Sequence, residues 1–247
     1  MKTDDEKQFL DSYDAAEFEH PSVTVDVAIL SAFDGRLHAL VVRRSEHPFR
    51  DTLALPGGFV ALDESLDAAA TRVLSKKTGL DGVYLEQLYT FGSPDRDPRT
   101  RVITVAYYAL LAEERFESAV AVAERSAKVV SIEVPWDGET GGPVEAVDAE
   151  GRACPLAFDH DEILGMAVKR IRGKLNYTPI GFQLLPESFT LLHLQEVHET
   201  VLGRPLNKDS FRRRMLASGQ LEATGEKQGD VGHRPAALYR FSRRSAV

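Results

Sequence analysis

The sequence predicts an α+β protein: a mixed sheet-and-helix body followed by a smaller helix–helix–hairpin module. Three observations lead there. Apolar runs with strand alternation are interleaved with runs of helical period through the first part of the chain. A stretch bearing Pro179, Gly181 and Pro186 then breaks the pattern. Basic charge concentrates beyond that break: from Lys174 to Val247 there are 11 Lys and Arg against 7 Asp and Glu, while the rest holds 19 against 31.

In the body, residues 23–33 and 37–43 read as strands, joined by Asp34-Gly35, a dipeptide suited to a tight hairpin turn. Residues 49–62 are loop-rich around Pro56-Gly57-Gly58. Residues 65–78 have helical composition, with Ser65 placed as N-cap and Gly79 as the left-handed C-terminal cap. Strands follow at 83–91 and 102–111, separated by a polar loop at 92–99. Residues 127–136 read as a strand, or as a helix end running into one. Residues 144–147 and 152–156 suggest a hairpin. The spacing of Ile163, Leu164, Ala167, Val168 and Ile171 predicts a helix over 159–174, ending near Gly173. The organisation expected is an acidic N-terminal segment (1–20), a body (21–175), a linker (176–186) and a terminal module (187–247).

In that module Thr190 is placed to cap a helix reaching Val201, with an apolar stripe at Leu191, Leu194, Val197 and Val201. After Gly203, Asn207 caps a second helix to about Ala217, and Leu206 and Phe211 occupy the two positions of a hydrophobic staple. Phe211 and Met215, four apart, face inward, while Asp209, Arg212 and Arg213 face out. Strands at 221–224 and 236–241 enclose a glycine-rich loop carrying Lys227, His233 and Arg234. Two helices across a tight turn, then a basic hairpin, is a winged helix-turn-helix pattern. Its second helix enters the major groove and its wing touches phosphate or the minor groove. Candidate DNA-contacting residues are Thr190, Arg204, Asn207, Lys208, Asp209, Arg212, Arg213, Arg214, Lys227, His233 and Arg234. The plain alternatives are a solvated basic helix face and a winged helix that binds protein.

The overall charge of −8 argues against nucleic acid as a partner of the body, so only the terminal module is expected to meet a polyanion. No apolar run approaches the ~18 residues of a membrane span, and the acidic N-terminus lacks the order of a signal peptide. Cys154 is the only cysteine, which excludes an intrachain disulfide and a cysteine-based zinc site. A cytoplasmic location is expected.

One motif in the body carries chemistry. Gly58 is followed after five residues by Glu64, Arg72 comes seven residues later, and the segment closes on Gly79-Leu80. The run PFRDTLALPGGFV precedes it. This spacing resembles the Nudix box, which implies an α/β/α sandwich. In that family three further glutamates on one helix face hold Mg²⁺, which polarises a diphosphate and activates water. The corresponding residues here are Val73, Lys76 and Lys77, so no metal and no catalytic residue are expected, and hydrolysis should be absent or very slow. The two ammonium groups could instead pair directly with a diphosphate, or be simple solvated residues. Candidate ligand-binding residues are Arg43, Arg44, Phe49, Arg50, Gly57, Gly58, Glu64, Lys76, Lys77, Arg96 and Arg99, with Phe49 or Tyr89 as stacking surfaces for an adenine.

Together with GKLNYTPIGFQLLPESFTLLHLQ (173–195), LNKDSFRRRMLASG (206–219) and GHRPAALYRF (232–241), the chain resembles the Nudix-related transcriptional regulators, abbreviated NrtR. The resemblance implies a homodimer that binds palindromic operators, represses genes of NAD synthesis or salvage, and is released by ADP-ribose or a related NAD metabolite, with no required cofactor. The helix 207–217 would read DNA and 227–234 would be the wing. Two readings stay beside it: a sugar-use regulator of the same architecture, and an active ADP-ribose hydrolase drawing on Glu64 with Asp95 or Asp97.

Overall fold

A computed structural model describes residues 4–14, 17–123, 127–229 and 235–242. After an exposed helix α1 (Asp4–Ser12), the body is built on one mixed sheet. Its strands are β1 (Ser22–Phe33), β2 (Arg36–Arg43), β3 (Leu53–Ala54), β4 (Gly57–Phe59), β5 (Leu85–Phe91), β6 (Val102–Leu110), β7 (Ala127–Glu133) and β8 (Glu145–Val147). The order is β5-β6-β1-β2-β7-β8, with β3 beside β2 and β4 beside β1. The β1–β6 pairing is parallel, from Ser22↔Val102 to Leu30↔Leu110, and β1 and β2 form the hairpin that Asp34-Gly35 predicted.

Because side chains alternate along a strand, the long β1 feeds two cores. Val25, Val27 and Ile29 pack beneath helices α2 (Leu66–Thr78) and α3 (Glu113–Val122), through Ala69, Ala70, Val73, Leu74, Phe116 and Ala119. Ala28, Leu30 and Ala32 face the other way, onto Ile163, Leu164, Ala167, Val168 and Ile171 of α4 (His160–Lys174). The body is therefore an α/β/α sandwich. The caps of α2 are as expected: the Ser65 hydroxyl accepts from the Ala68 N–H, and Gly79 adopts φ 66°. Helix α4 closes at Lys174, one residue beyond Gly173, and so covers the expected span with Asp159 at its N-cap position. The expected hairpin at 144–156 shrinks to β8 and a single bridge, Val147↔Ala153. Helices α1 and α3 were not anticipated.

Where the composition suggested a linker, the structure has a 3-10 turn, Pro179–Leu184, with Ile180, Gly181, Phe182 and Leu184 buried. Phe182 stacks on Phe241 (4.6 Å between centroids) and leans on Phe189 (5.7 Å). Proline and glycine here shape a tight, buried turn.

The terminal module is a winged helix: β9 (Phe189–Thr190), α5 (Leu191–Leu202), α6 (Lys208–Ala217), then β10 (Leu221–Lys227) and β11 (Ala237–Phe241), in a sheet of order β10-β11-β9. Leu194, Val197 and Val201 of α5 and Phe211 and Met215 of α6 join the same apolar cluster as α4 and the sheet.

Candidate functional site

A cleft of about 300 Å³ opens between the sheet, the turn before β4 and the loop ahead of α4. Its position follows from a close approach. Gly57 on β4 pairs with Asp26 on β1, and a Cβ there would stand 2.1 Å from the Asp26 carboxylate, so only glycine fits.

The floor is a buried charged group. The Arg96 guanidinium, 8% exposed, donates to both oxygens of Asp159 (2.7 and 2.9 Å) and lies 3.5 Å from Asp26. Burial alone would lower its pKa, but the hydrogen bonds to Asp159 and the charges of Asp159 and Asp26 outweigh burial and raise it. His160 is buried, and burial lowers its pKa. Its Nδ1 accepts the Leu55 N–H at 2.8 Å, which leaves the proton on Nε2, 3.7 Å from Asp26 Oδ1.

The walls and mouth are cationic and aromatic. Arg43, Arg44, Lys77 and Arg99 line the cleft, with Phe59 and Phe158. Arg43 donates to the Asp51 carbonyl (2.5 Å) and Arg44 to that of Pro48 (2.8 Å), while the Arg44 guanidinium sits 4.8 Å over the Phe158 ring. These bonds go to main-chain oxygens, so the cations keep their charge for an incoming anion. Burial, then the nearby Arg99, lowers the Arg44 pKa. Arg99 is held by Asp97 (2.7 and 3.0 Å) and lies 5.7 Å from the Phe59 centroid.

The structure sorts the sequence candidates. Arg43, Arg44, Gly57, Gly58, Lys77, Arg96 and Arg99 converge on the cleft. Lys76, Arg50 and Phe49 do not line it; Phe49, at φ 59°, meets Phe158 edge-on at 4.9 Å. Tyr89 packs on Phe91 instead. Glu64 also lies outside the lining. It accepts from Arg72 Nε (2.9 Å) and from the Ala61 N–H (2.8 Å), while Arg72 reaches the Phe59 carbonyl (3.0 Å), so the pair staples the loop between β4 and α2. The Arg72 hydrogen bond first, and the Ala61 N–H after it, hold the Glu64 pKa down to about 2. Val73 is 3% exposed, its methyl against Gly58.

These residues do not fit a divalent cation. The helix face that would offer carboxylates presents a buried valine and two lysines, Glu64 is spent on Arg72, Asp97 on Arg99, and Asp26 faces Arg96. No group of three or more His, Cys, Asp or Glu among the described residues could hold a metal.

Sequence reasoning missed Asp26, Phe158, Asp159 and His160. Asp26 had a signal, a lone carboxylate inside the apolar run VTVDVAIL. The other three had none, because only the fold brings the start of α4 to the cleft.

On the winged helix, Asn207 Oδ1 accepts the Ser210 N–H (3.0 Å) and opens α6, leaving Lys208, Asp209, Arg212 and Arg213 exposed opposite Phe211 and Met215. Arg204 is exposed in the turn before it. Arg214 is exposed but drawn back, 5.5 Å from the Phe211 ring and 3.4 Å from Asn176. Thr190 is a correction: it is buried, pairs with Leu238, and its hydroxyl caps α5 by accepting the His193 N–H (3.0 Å). Lys227 ends β10 opposite Ala237. His233 and Arg234 lie outside the described residues.

Comparison with known proteins completes the picture. Residues 181–241 match the family model of the NrtR DNA-binding winged helix domain, and residues 21–138 that of the NUDIX domain. An "ADPR responsive transcriptional repressor NtrR" from Acinetobacter baylyi is 39% identical over 239 residues, 96% of this chain and 88% of the relative. The crystal structure of Shewanella oneidensis NrtR complexed with a 27mer DNA superposes with a TM-score of 0.73 at 36% identity, covering 89% of this chain and 93% of that one. An ADP-ribose pyrophosphatase from Methanocaldococcus jannaschii is 39% identical over 88 residues, 36% of this chain and 50% of that protein.

Proposed function

The chain belongs to the NrtR family, which joins a NUDIX domain to a DNA-binding winged helix, and from that premise we propose that it is a transcriptional repressor whose cleft senses ADP-ribose or a related NAD metabolite. The observation that carries this reading is its 39% identity, over nearly the whole chain, to a repressor described as ADPR-responsive. The cleft adds physical support. Arg43, Arg44, Lys77 and Arg99 gather positive charge beside aromatic rings, which suits a diphosphate flanked by planar or sugar groups.

The protein acts without turnover. A diphosphate meeting Lys77, with no set of carboxylates to hold Mg²⁺, is bound and not cleaved. On DNA, two copies bind as a homodimer and place their α6 helices in successive major grooves about 34–36 Å apart, hence a palindromic operator. Arg212, Arg213 and Lys208 face the groove, with Asn207, Asp209, Arg204 and Arg214 at its edges, and Lys227, at the end of β10, meets the backbone. The genes controlled are those of NAD synthesis or salvage. The setting is cytoplasmic; among the described residues no helix is long and apolar enough to cross a membrane.

The test is binding of the purified protein to its own upstream DNA and to promoters of NAD-synthesis genes, with and without ADP-ribose. Specific binding that ADP-ribose weakens is expected. Binding indifferent to ADP-ribose would move the search to other effectors, including sugar metabolites. The stretch shared with an ADP-ribose pyrophosphatase favours hydrolysis as a second reading, and Mg²⁺-dependent release of AMP from ADP-ribose would establish it.

A further inference from the structure

Helix α4 touches both functional regions with charged or polar groups. At its start, Asp159 grips Arg96 and His160 accepts from Leu55, and both partners line the cleft. At its other end is Arg172, 5% exposed. With 15 residues the helix is about 22 Å long, so it spans the distance from ligand to winged helix as one rigid element.

Arg172 has an unusual set of partners for a buried cation. It makes no ion pair among the described residues. Its Nε donates to the Val201 carbonyl (2.8 Å), and its Nη1 to the carbonyls of Gly138 (3.0 Å) and Trp136 (3.3 Å). The guanidinium also lies 4.9 Å over the Trp136 ring. Val201 belongs to the last turn of α5, where carbonyls lack helical partners and a cation is favoured. Gly203, just beyond, stands so close that a Cβ would be 3.0 Å from Arg172 Nη2. One side chain thus fastens the body, through residues 136–138, to the end of the helix that supports α6.

We propose that Arg172 is a positioning residue: it transmits the state of the ligand cleft, carried along α4, to the winged helix. An anionic ligand competes with Asp159 and Asp26 for the Arg96 guanidinium. Asp159 is then freed to move, and the start of α4 moves with it. Farther along, Lys174 pairs with Glu86 (2.5 Å) and Arg170 with the Leu88 carbonyl (2.8 Å), both on β5. These anchors make the helix tilt rather than slide, and the tilt changes how Arg172 holds Val201. A ligand shifts a conformational balance only through such differential contacts.

This rests on the sensing role proposed above, so ligand binding, DNA binding and their coupling are measured separately. Trp136 is the chain's only tryptophan and serves as a reporter without mutation. ADP-ribose is titrated into the wild-type dimer by calorimetry and, in parallel, by tryptophan fluorescence. The expected result is an emission change with the calorimetric Kd. Calorimetric binding with a silent Trp136 overturns the proposal alone; no calorimetric binding overturns the sensing role and this proposal with it. In Arg172→Gln, ADP-ribose affinity and ligand-free operator affinity are expected to stay within about threefold of wild type. The factor by which ADP-ribose weakens operator binding should fall by about tenfold or to unity, and Arg172→Lys should recover part of it. An unchanged coupling factor in a folded Arg172→Gln protein refutes the assignment. If that variant does not fold, the wild-type fluorescence titration still decides.

Discussion

Lys76 and Lys77 occupy equivalent places in the box pattern, and the fold separates them. Both are exposed on α2, but only Lys77 lines the cleft. A charge-assisted contact at a solvent-open site contributes about 1 kcal/mol. Lys77→Ala should therefore weaken ADP-ribose binding about fivefold in calorimetry, and Lys76→Ala should leave it unchanged. Glu64 gives a second residue-scale expectation. Its folded pKa, about 2, lies below the ordinary 4.5, so the folded state favours the carboxylate. That contribution is complete above the ordinary value and is lost as pH falls from there through about 2. In denaturant titrations over that window, Glu64→Gln should lose less stability with falling pH than the parent; identical profiles would remove Glu64 from the account. At this scale the sequence identified the cations but not their partners. Arg96 was visible as a loop arginine, yet its burial between Asp26 and Asp159 depends on contacts across 70 and 63 residues, which no local pattern contains.

Elements were legible where local chemistry decides them. Ser65 and Asn207 cap α2 and α6 as their side chains allow, and Gly79 and Gly203 end helices in the left-handed region. Helix α3 was not legible: only Phe116 and Ala119 of its ten residues are buried, so its apolar stripe is short. Gly173 rightly marked the end of α4, which closes at Lys174, but glycine inside a helix can serve packing as well as termination. Gly165 shows the packing use plainly. A Cβ there would stand 1.8 Å from the Gly142 carbonyl oxygen, a main-chain atom that cannot swing aside. Glycine to alanine in a helix interior ordinarily gains about 1 kcal/mol. Here the sign should reverse, and Gly165→Ala should destabilise by about 1–3 kcal/mol as measured by the denaturation midpoint. A stabilised variant would mean that the 141–143 loop yields freely.

At the scale of the whole molecule, composition suggested two bodies on a tether, and packing joins them. The misleading segment was 176–186, whose prolines and glycine look like punctuation while Ile180, Phe182 and Leu184 supply the apolar surface that buries it. Domains connected by a polar linker move independently by default, and a large apolar interface removes that freedom. One apolar cluster here runs from Leu30 and Val41 in the sheet, through Val168 and Ile171 of α4 and Phe182 of the turn, to Leu194, Val201, Phe211 and Met215 of the winged helix. Unfolding the winged helix alone would strip α4 of its cover and expose apolar area at about 25 cal/mol per Å². Thermal unfolding should therefore be a single transition by scanning calorimetry, with calorimetric and van't Hoff enthalpies in agreement for each folded unit. ADP-ribose should raise its midpoint without splitting it, since a ligand that binds only the folded state stabilises whatever unfolds with its site. Two separated transitions, with only the one belonging to the sheet moved by ADP-ribose, would show that the interface yields before the domains do. In that case a strain arising in the cleft would be lost at the junction and would not reach α6.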